Sequence, residues 1–357
     1  MEDATAKAAP FDIRYQYISG AIADGGPCTS CAANCTSKGA ACDNQHGCGW
    51  WGCWQYDQDP PGQFVRDFVT KAEAAGEIPM FDYYMVLQAS GVDEGAPEVG
   101  AMNDTNFMKG YLADFRFLLK QIGTHPALVH IEPDFWGYAE QIGKEPAQIP
   151  AAVAIDDCSE QPQTLVGVAQ CMIALTRTYA PHAKVGLHAS DWGTEIDVFA
   201  NKDASLDVSA LATKQAAFFT ALGVNKADFL AVDALDRDTQ YYESMGQARG
   251  WDATNKTLPN FTQALSFVGA VAQQTAMPVI WWQTPVGNAQ ESGGTDHWRD
   301  NRVDYFFHHA SELAASGAFA AVFGAGATGQ TTPESDGGVL VSTMKTFAAT
   351  GGQALCK

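Results

Sequence analysis

The sequence is short of positive charge. Only 21 lysines and arginines stand against 41 aspartates and glutamates, which leaves a formal charge of −20 over 357 residues. Such a surface repels phosphate, so nucleic acids and anionic membranes are excluded as partners and a neutral ligand is favoured. Long apolar runs are also missing: none approaches the roughly 18 residues that a membrane helix needs. No G-x-G-x-x-G or GxxxxGK[ST] segment opens a helix, so no nucleotide cofactor is called for. Low-complexity tracts and short-period repeats are absent, which removes solenoids and fibrous folds.

Apolar residues make up 46% of the chain and charged residues 17%, ample for a large core. Nine cysteines are present, six of them crowded between Cys28 and Cys53 in "CTSCAANCTSKGAACDNQHGCGWWGC". Cys28-x-x-Cys31 has zinc-ligand spacing. No second pair of that kind follows and the later gaps are irregular, so two or three local disulfides are the favoured reading. Cys171 reads as a plain buried helix cysteine, with Cys158 and Cys356 free or paired to each other. Disulfides place the chain in an oxidising compartment, and secretion is expected. No leader peptide is visible, and Met1 before "EDATAKAAP" reads as a start added to a mature chain.

Short β-rich runs alternate with longer amphipathic ones. Strands are expected at 12–19, 78–87, 127–132, 184–190, 228–235, 278–284 and 318–325. Helices are expected at 62–76, 104–122, 163–180, 206–222, 260–276, 298–316 and 338–349. About seven βα units without a linker predict a parallel sheet wrapped by helices. The expected fold is a single α/β domain over 1–357, a TIM-like barrel of seven or eight strands, acting as a monomer. A Cys- and Trp-rich loop insert at about 20–62 follows the first strand.

In such barrels chemistry gathers where strands end. Asp82, Glu132, Asp134 and Asp233 stand at those ends, and buried carboxylates are costly unless they are paired or used. His130, Glu132 and Asp134 share strand parity and are expected to face one way. Most of the nine tryptophans follow predicted strands rather than filling helices. Trp50, Trp51, Trp54, Trp136, Trp192 and Trp282, with Tyr84 and Tyr138, are the candidate substrate-binding rings. Aromatic faces stack on the apolar faces of sugars, and a stapled loop is ordered before its ligand arrives.

"LVHIEPDFWGYAEQIG" resembles the family 6 glycoside hydrolases, the inverting cellulases, whose corresponding strand ends in Ile-Glu-Pro-Asp. The resemblance implies a distorted seven-stranded barrel with Asp134 as catalytic acid. It sets Phe81-Asp82 at the family's Tyr-Asp strand end and Asp336, in "PESDGG", at the proposed base. The family's Arg-Asp pair has no counterpart here; "YYMVLQ" stands in its place, with Asp93 and Glu94 the nearest acids. Gln283 replaces a further family carboxylate, and His188 another.

These readings converge on a secreted glycoside hydrolase acting on a neutral poly- or oligosaccharide, with a β-glucan such as cellulose favoured. One carboxylic acid protonates the leaving oxygen while a second carboxylate, roughly 6.5–9.5 Å away in an inverting enzyme, activates water. Asp134 is the expected acid, with Glu132 and the rings of Phe135 and Trp136 raising its pKa. For the base, Asp233 and Asp82 rank ahead of Asp236, Asp191 and Asp336. No cofactor is expected. Two alternatives stay open. One is a metal-dependent hydrolase using His130, Glu132, His188 and Asp233, although His130 reads more readily as a satisfied core histidine. The other is a non-catalytic barrel that only binds glycan.

Overall fold

The computed structural model describes residues 8–20, 22 and 60–355. The six cysteines of the insert, Cys356, and Trp50, Trp51 and Trp54 lie outside the described residues. Seven strands appear: β1 (Ile13–Ser19), β2 (Ile78–Tyr84), β3 (Ala127–Ile131), β4 (Ala183–His188), β5 (Phe229–Asp233), β6 (Val279–Thr284) and β7 (Ala318–Phe323). They form one sheet ordered β1-β2-β3-β4-β5-β6-β7. The pairs β2–β3, β3–β4, β5–β6 and β6–β7 are parallel. This is the expected TIM-like α/β architecture, because a parallel neighbour requires a crossover and the crossovers are helical.

The helices are α1 (Gln63–Ala75), α2 (Val86–Ser90), α3 (Ala96–Ala101), α4 (Thr105–Ile122), α5 (Phe135–Gln141), α6 (Leu165–Tyr179), α7 (Val208–Leu222), α8 (Thr239–Ser244), α9 (Phe261–Thr275), α10 (Arg302–His308), α11 (Ala310–Ala315) and α12 (Val339–Ala349). Local chemistry sets their limits. Asp104 opens α4 by accepting the Asn106 and Phe107 N–H groups, and Asn260 opens α9 by accepting that of Gln263. Gly76 closes α1 in the left-handed region, returning its N–H to Ala72 and Glu73. The expected helix 298–316 starts later and breaks in two. Trp298 is tied to loop atoms, its N–H to Thr331 Oγ1 and its indole to Gly329 O. His309 leaves helical geometry and its ring stacks on Tyr305 at 3.9 Å.

The chain divides into two compact units. One comprises residues 15–188 and 218–228. Its core joins Tyr83, Tyr111 and Phe115, with ring centroids 5.5 and 4.9 Å from that of Tyr83. A disulfide links Cys158 to Cys171 of α6, with Cα atoms 5.5 Å apart. Cys171 is therefore not a plain core thiol, and Cys158 is not the partner of Cys356. By loop-closure entropy a bridge over a span this short contributes about 3 kcal/mol.

The other unit comprises residues 1–14, 189–217 and 229–357. Its core is aromatic: Phe199, Trp251 and Phe306 surround Trp281 at centroid distances of 5.7, 6.1 and 5.4 Å. Buried indole and phenyl rings supply much of a core's apolar area.

Candidate active site

The strand β3 ends at Ile131, and the backbone leaves the extended region directly beyond it. Glu132 has φ 51° and Asp134 has φ 66°, both unusual for residues with a Cβ. Asp134 has ψ −40°, and the Phe135 N–H donates to the Pro133 carbonyl at 2.8 Å. Asp134 is thus the central residue of a γ-turn of the rare, strained kind. The parity expected for His130, Glu132 and Asp134 fails here, because alternation needs extended backbone on both sides.

The turn sends Glu132 and Asp134 to different tasks. Glu132 is fully buried. Its carboxylate accepts the Met85 and Val86 N–H groups at 3.1–3.3 Å, at the start of α2. It also accepts the Tyr111 hydroxyl at 2.9 Å. Burial pushes its pKa up to about 8, but every one of these partners donates to it, so the ionised carboxylate is the form this nest of donors holds. A side chain so enclosed does not meet substrate, and the catalytic place read for Glu132 becomes that of a post fixing β2, β3 and α4.

Asp134 is half-buried and opens α5. Its charge is felt by Glu98, Tyr84 and Tyr138. Glu98, on α3, is 2% exposed. Burial first, then the charges of Glu132, Glu94 and Asp134, push Glu98 up to about 8. It therefore keeps its proton at neutral pH. Burial also pushes the Tyr84 and Tyr138 hydroxyls upward, with Asp134 and Glu94 adding to both. Tyr84 and Tyr138 remain half-buried, and the ring of Tyr17 lies 6.3 Å from that of Tyr84, edge to face. The structure thus brings together Asp134, Tyr84 and Tyr138 from the predicted set and adds Glu98. In sequence Glu98 looks like any first-turn helix acid; only the Gly95-Ala96-Pro97 helix start hinted at its position.

Trp136 is fully buried, and its indole donates to the Ile131 carbonyl at 2.9 Å. It props the end of β3 and offers no face to a sugar. Trp282, 2% exposed, is likewise core. Trp192 is half-buried on the segment after β4. Of the rings expected beside Asp134, the two whose hydroxyls feel its charge are Tyr84 and Tyr138.

Asp82 is buried as well. In register it sits beside His130, and His130 sits beside Gly186, two residues before His188. The three side chains form a ladder: Asp82 Oδ1 to His130 Nδ1 at 2.9 Å, and His130 Nε2 to His188 Nδ1 at 3.1 Å. Burial lowers His130 to about 3, and burial with His130 beside it holds His188 well below its ordinary value. Both rings are therefore neutral, and the Asp82 contact is a hydrogen bond rather than an ion pair. Proton bookkeeping then fixes the tautomers. His130 Nδ1–H donates to Asp82, and its Nε2 accepts from His188 Nδ1–H. Asp82 thus orients imidazoles across three strands and is enclosed too fully to activate a water on substrate. Both nitrogens of His130 are engaged, and among the described residues no group of three His, Cys, Asp or Glu side chains is placed to hold a metal ion.

In the other unit, Asp233 Oδ1 accepts the Leu235 N–H at 2.9 Å, the local turn bond expected of an aspartate after a strand. Asp336 accepts the N–H groups of Gly338 and Leu340 at 2.7 and 2.6 Å, capping α12. The structure thus gives Asp336, the base implied by the resemblance, a helix-capping use. Gln283 at the end of β6 has φ 52°, a second strand end held in the left-handed region.

No family model matches the chain, and no curated protein matches it. Solved structures similar to it are glycoside hydrolases. A GH53 catalytic domain from Ignisphaera aggregans aligns at TM-score 0.49 and 11% identity, over 97% of this chain and 87% of that one. An endo-β-1,4-mannanase from Cellulomonas fimi aligns at TM-score 0.47 and 10% identity, over 82% of this chain and 60% of that one. The endoglucanase Cel6 from Mycobacterium tuberculosis, solved with a thio-cellobioside ligand, aligns at TM-score 0.34 and 13% identity. That alignment takes in 62% of this chain and 56% of the endoglucanase, so the chain spans well under two thirds of that neighbour's length.

Proposed function

We propose that this chain is a secreted glycoside hydrolase that cleaves a neutral polysaccharide, a β-glucan foremost, with Asp134 as general acid. The observation that carries the reading is the γ-turn. A strained backbone costs on the order of 1–3 kcal/mol and persists where the surroundings over-determine it, commonly at sites of function. Here the strain falls on a half-buried carboxyl whose charge is felt by two half-buried tyrosines and by a carboxyl that holds its proton. Several carboxyls in one low-dielectric place do not all ionise, so the cluster keeps a proton at neutral pH, the condition for protonating a departing glycosidic oxygen. Tyr84 and Tyr138 supply ring faces for a pyranose. The Ile-Glu-Pro-Asp segment supports the β-glucan choice and an inverting outcome, and the Cys158–Cys171 bridge supports secretion.

Assay of reducing ends on cellulose, mixed-linkage glucan, xylan and chitin tests the activity. Asp134→Asn tests the acid: turnover should fall at least about a hundredfold while oligosaccharide binding is kept. An active Asp134→Asn protein refutes the assignment.

A further inference from the structure

Strand β2 sorts its side chains by face. Phe81 packs on Phe68 of α1, with ring centroids 5.3 Å apart, and Tyr83 packs on Tyr111 and Phe115 of α4 at 5.5 and 4.9 Å. Residues 81 and 83 therefore meet the helices. Side chains alternate along a strand, so Asp82 and Tyr84 point to the inner side of the sheet, away from the helices. The ring of Tyr17 lies 6.3 Å from that of Tyr84, and the ring of Tyr15 lies 6.3 Å from that of Tyr17. Tyr15 and Tyr17 stand two residues apart on β1, the neighbour of β2. The three rings thus share the inner side, in a row that begins at Tyr84 and runs back along β1.

This row is not closed core. Asp82 and His130, on the same side, are fully enclosed, whereas Tyr15, Tyr17 and Tyr84 all keep part of their surface in water. The inner side is therefore shut at β3 and open along β1. Contiguous aromatic surface left accessible on a rigid element marks a binding face. The chemistry narrows its ligand. Tyr84 feels the charges of Asp134, Glu94 and Glu98, which would repel an anion. A tyrosine offers an apolar ring and a hydroxyl that both donates and accepts, the pairing that a pyranose presents in return. Rings two residues apart on a strand are spaced by about 7 Å of rise, so the row meets successive units of an extended ligand and not one small group.

We propose that Tyr15 and Tyr17 form a binding track that carries an oligosaccharide chain along β1 to Tyr84 and Asp134, which makes the ligand a polysaccharide strand and not a small glycoside. The assignment rests on the glycoside hydrolase reading for its ligand, but its test reads binding without turnover.

The hexaoses of cellulose, xylan, mannan and chitin are titrated calorimetrically into full-length Asp134→Asn protein, each beside the disaccharide of the same sugar. At least one hexaose should bind, and more tightly than its disaccharide. Adding Tyr17→Ala should weaken that hexaose about fivefold or more, the scale of losing one stacked ring, and shrink its advantage over the disaccharide. Tyr17→Phe, which keeps the ring, should lose less. Tyr17→Leu fills the same space without a flat face and decides the matter where Tyr17→Ala does not fold. Failure of all four hexaoses to bind, equal affinity for hexaose and disaccharide, or unchanged hexaose affinity in Tyr17→Ala or Tyr17→Leu overturns the track. Turnover on the polysaccharide panel together with unchanged affinity would remove the track and leave the hydrolase; binding weakened as stated with no turnover on any substrate would remove the hydrolase and leave the track.

Discussion

Tyr111 donates its hydroxyl to Glu132 at 2.9 Å, and through that bond a residue of α4 holds the carboxylate that starts α2. Both partners are fully buried. The carboxylate gathers two backbone N–H groups and one O–H, so its loss would leave three donors stranded in the core. Glu132→Gln turns an amide N–H toward some of them and should cost about 2–4 kcal/mol in urea unfolding. Tyr111→Phe, which removes a single donor, should cost about 1 kcal/mol. Equal costs for the two would mean that the Met85 and Val86 bonds contribute nothing.

Glu98 sets a slope of stability with pH. Its folded pKa, about 8, lies above the ordinary 4.5, so between those values the folded chain holds a proton that the unfolded chain has released. Stability from this group is full at low pH and is lost as pH rises toward 8. Each tenfold difference in proton affinity between the two states corresponds to about 1.4 kcal/mol, so the loss is on the order of a few kcal/mol. Glu98→Gln, neutral at every pH, should flatten that limb and raise the thermal midpoint at pH 8 relative to the parent. A parent-minus-variant difference that does not change between pH 5 and 8 would place the Glu98 carboxyl in water.

The histidine ladder has the opposite sign. His130 titrates at about 3 in the fold, below its ordinary 6.5, so its contribution is present above 6.5 and is lost on acidification. Asp82→Leu removes the acceptor for His130 Nδ1–H and should cost about 2–4 kcal/mol, since one buried donor loses its charged partner. Nitrogen shifts of the imidazoles should report His130 protonated at Nδ1 in the parent and altered in the variant. A chelator should leave turnover unchanged, because both ring nitrogens of His130 are engaged inside the protein.

Much of this was legible in the sequence, for a physical reason. Runs such as Ala127–Ile131 and Val279–Thr284 are buried throughout, and continuous burial writes a continuous apolar string. Helices such as α4 announce themselves through Asp104 and a 3.6-residue period. The short helices α2, α3, α5 and α8 were not visible, because five to seven residues carry too little periodicity, and Glu98 was hidden among them. Trp136 and Trp282 misled for another reason: a ring beside a strand end reads the same whether it faces solvent or the neighbouring helix. The sequence cannot record that the Trp136 indole finds the Ile131 carbonyl. Nothing in the sequence gives the sign of φ at Glu132 and Asp134, so the alternation rule was carried past the end of β3.

That sign leads to the sharpest test of Asp134. A residue with a Cβ at φ 66° and ψ −40° is strained, and glycine is not. Asp134→Gly should therefore relieve on the order of 1–3 kcal/mol of backbone strain, less the 0.5–1 kcal/mol or so by which glycine loosens the unfolded chain. The net expectation is a protein as stable as the parent or about 1 kcal/mol more so, with turnover reduced at least about a hundredfold. Such a pairing of gained stability with lost activity is what selection for a strained catalytic carboxyl leaves behind. Urea unfolding and reducing-end assays on the same preparation check both halves. A destabilised Asp134→Gly protein would mean that the carboxyl is kept for holding α5, as Asp336 holds α12, and the strain would then have no catalytic meaning.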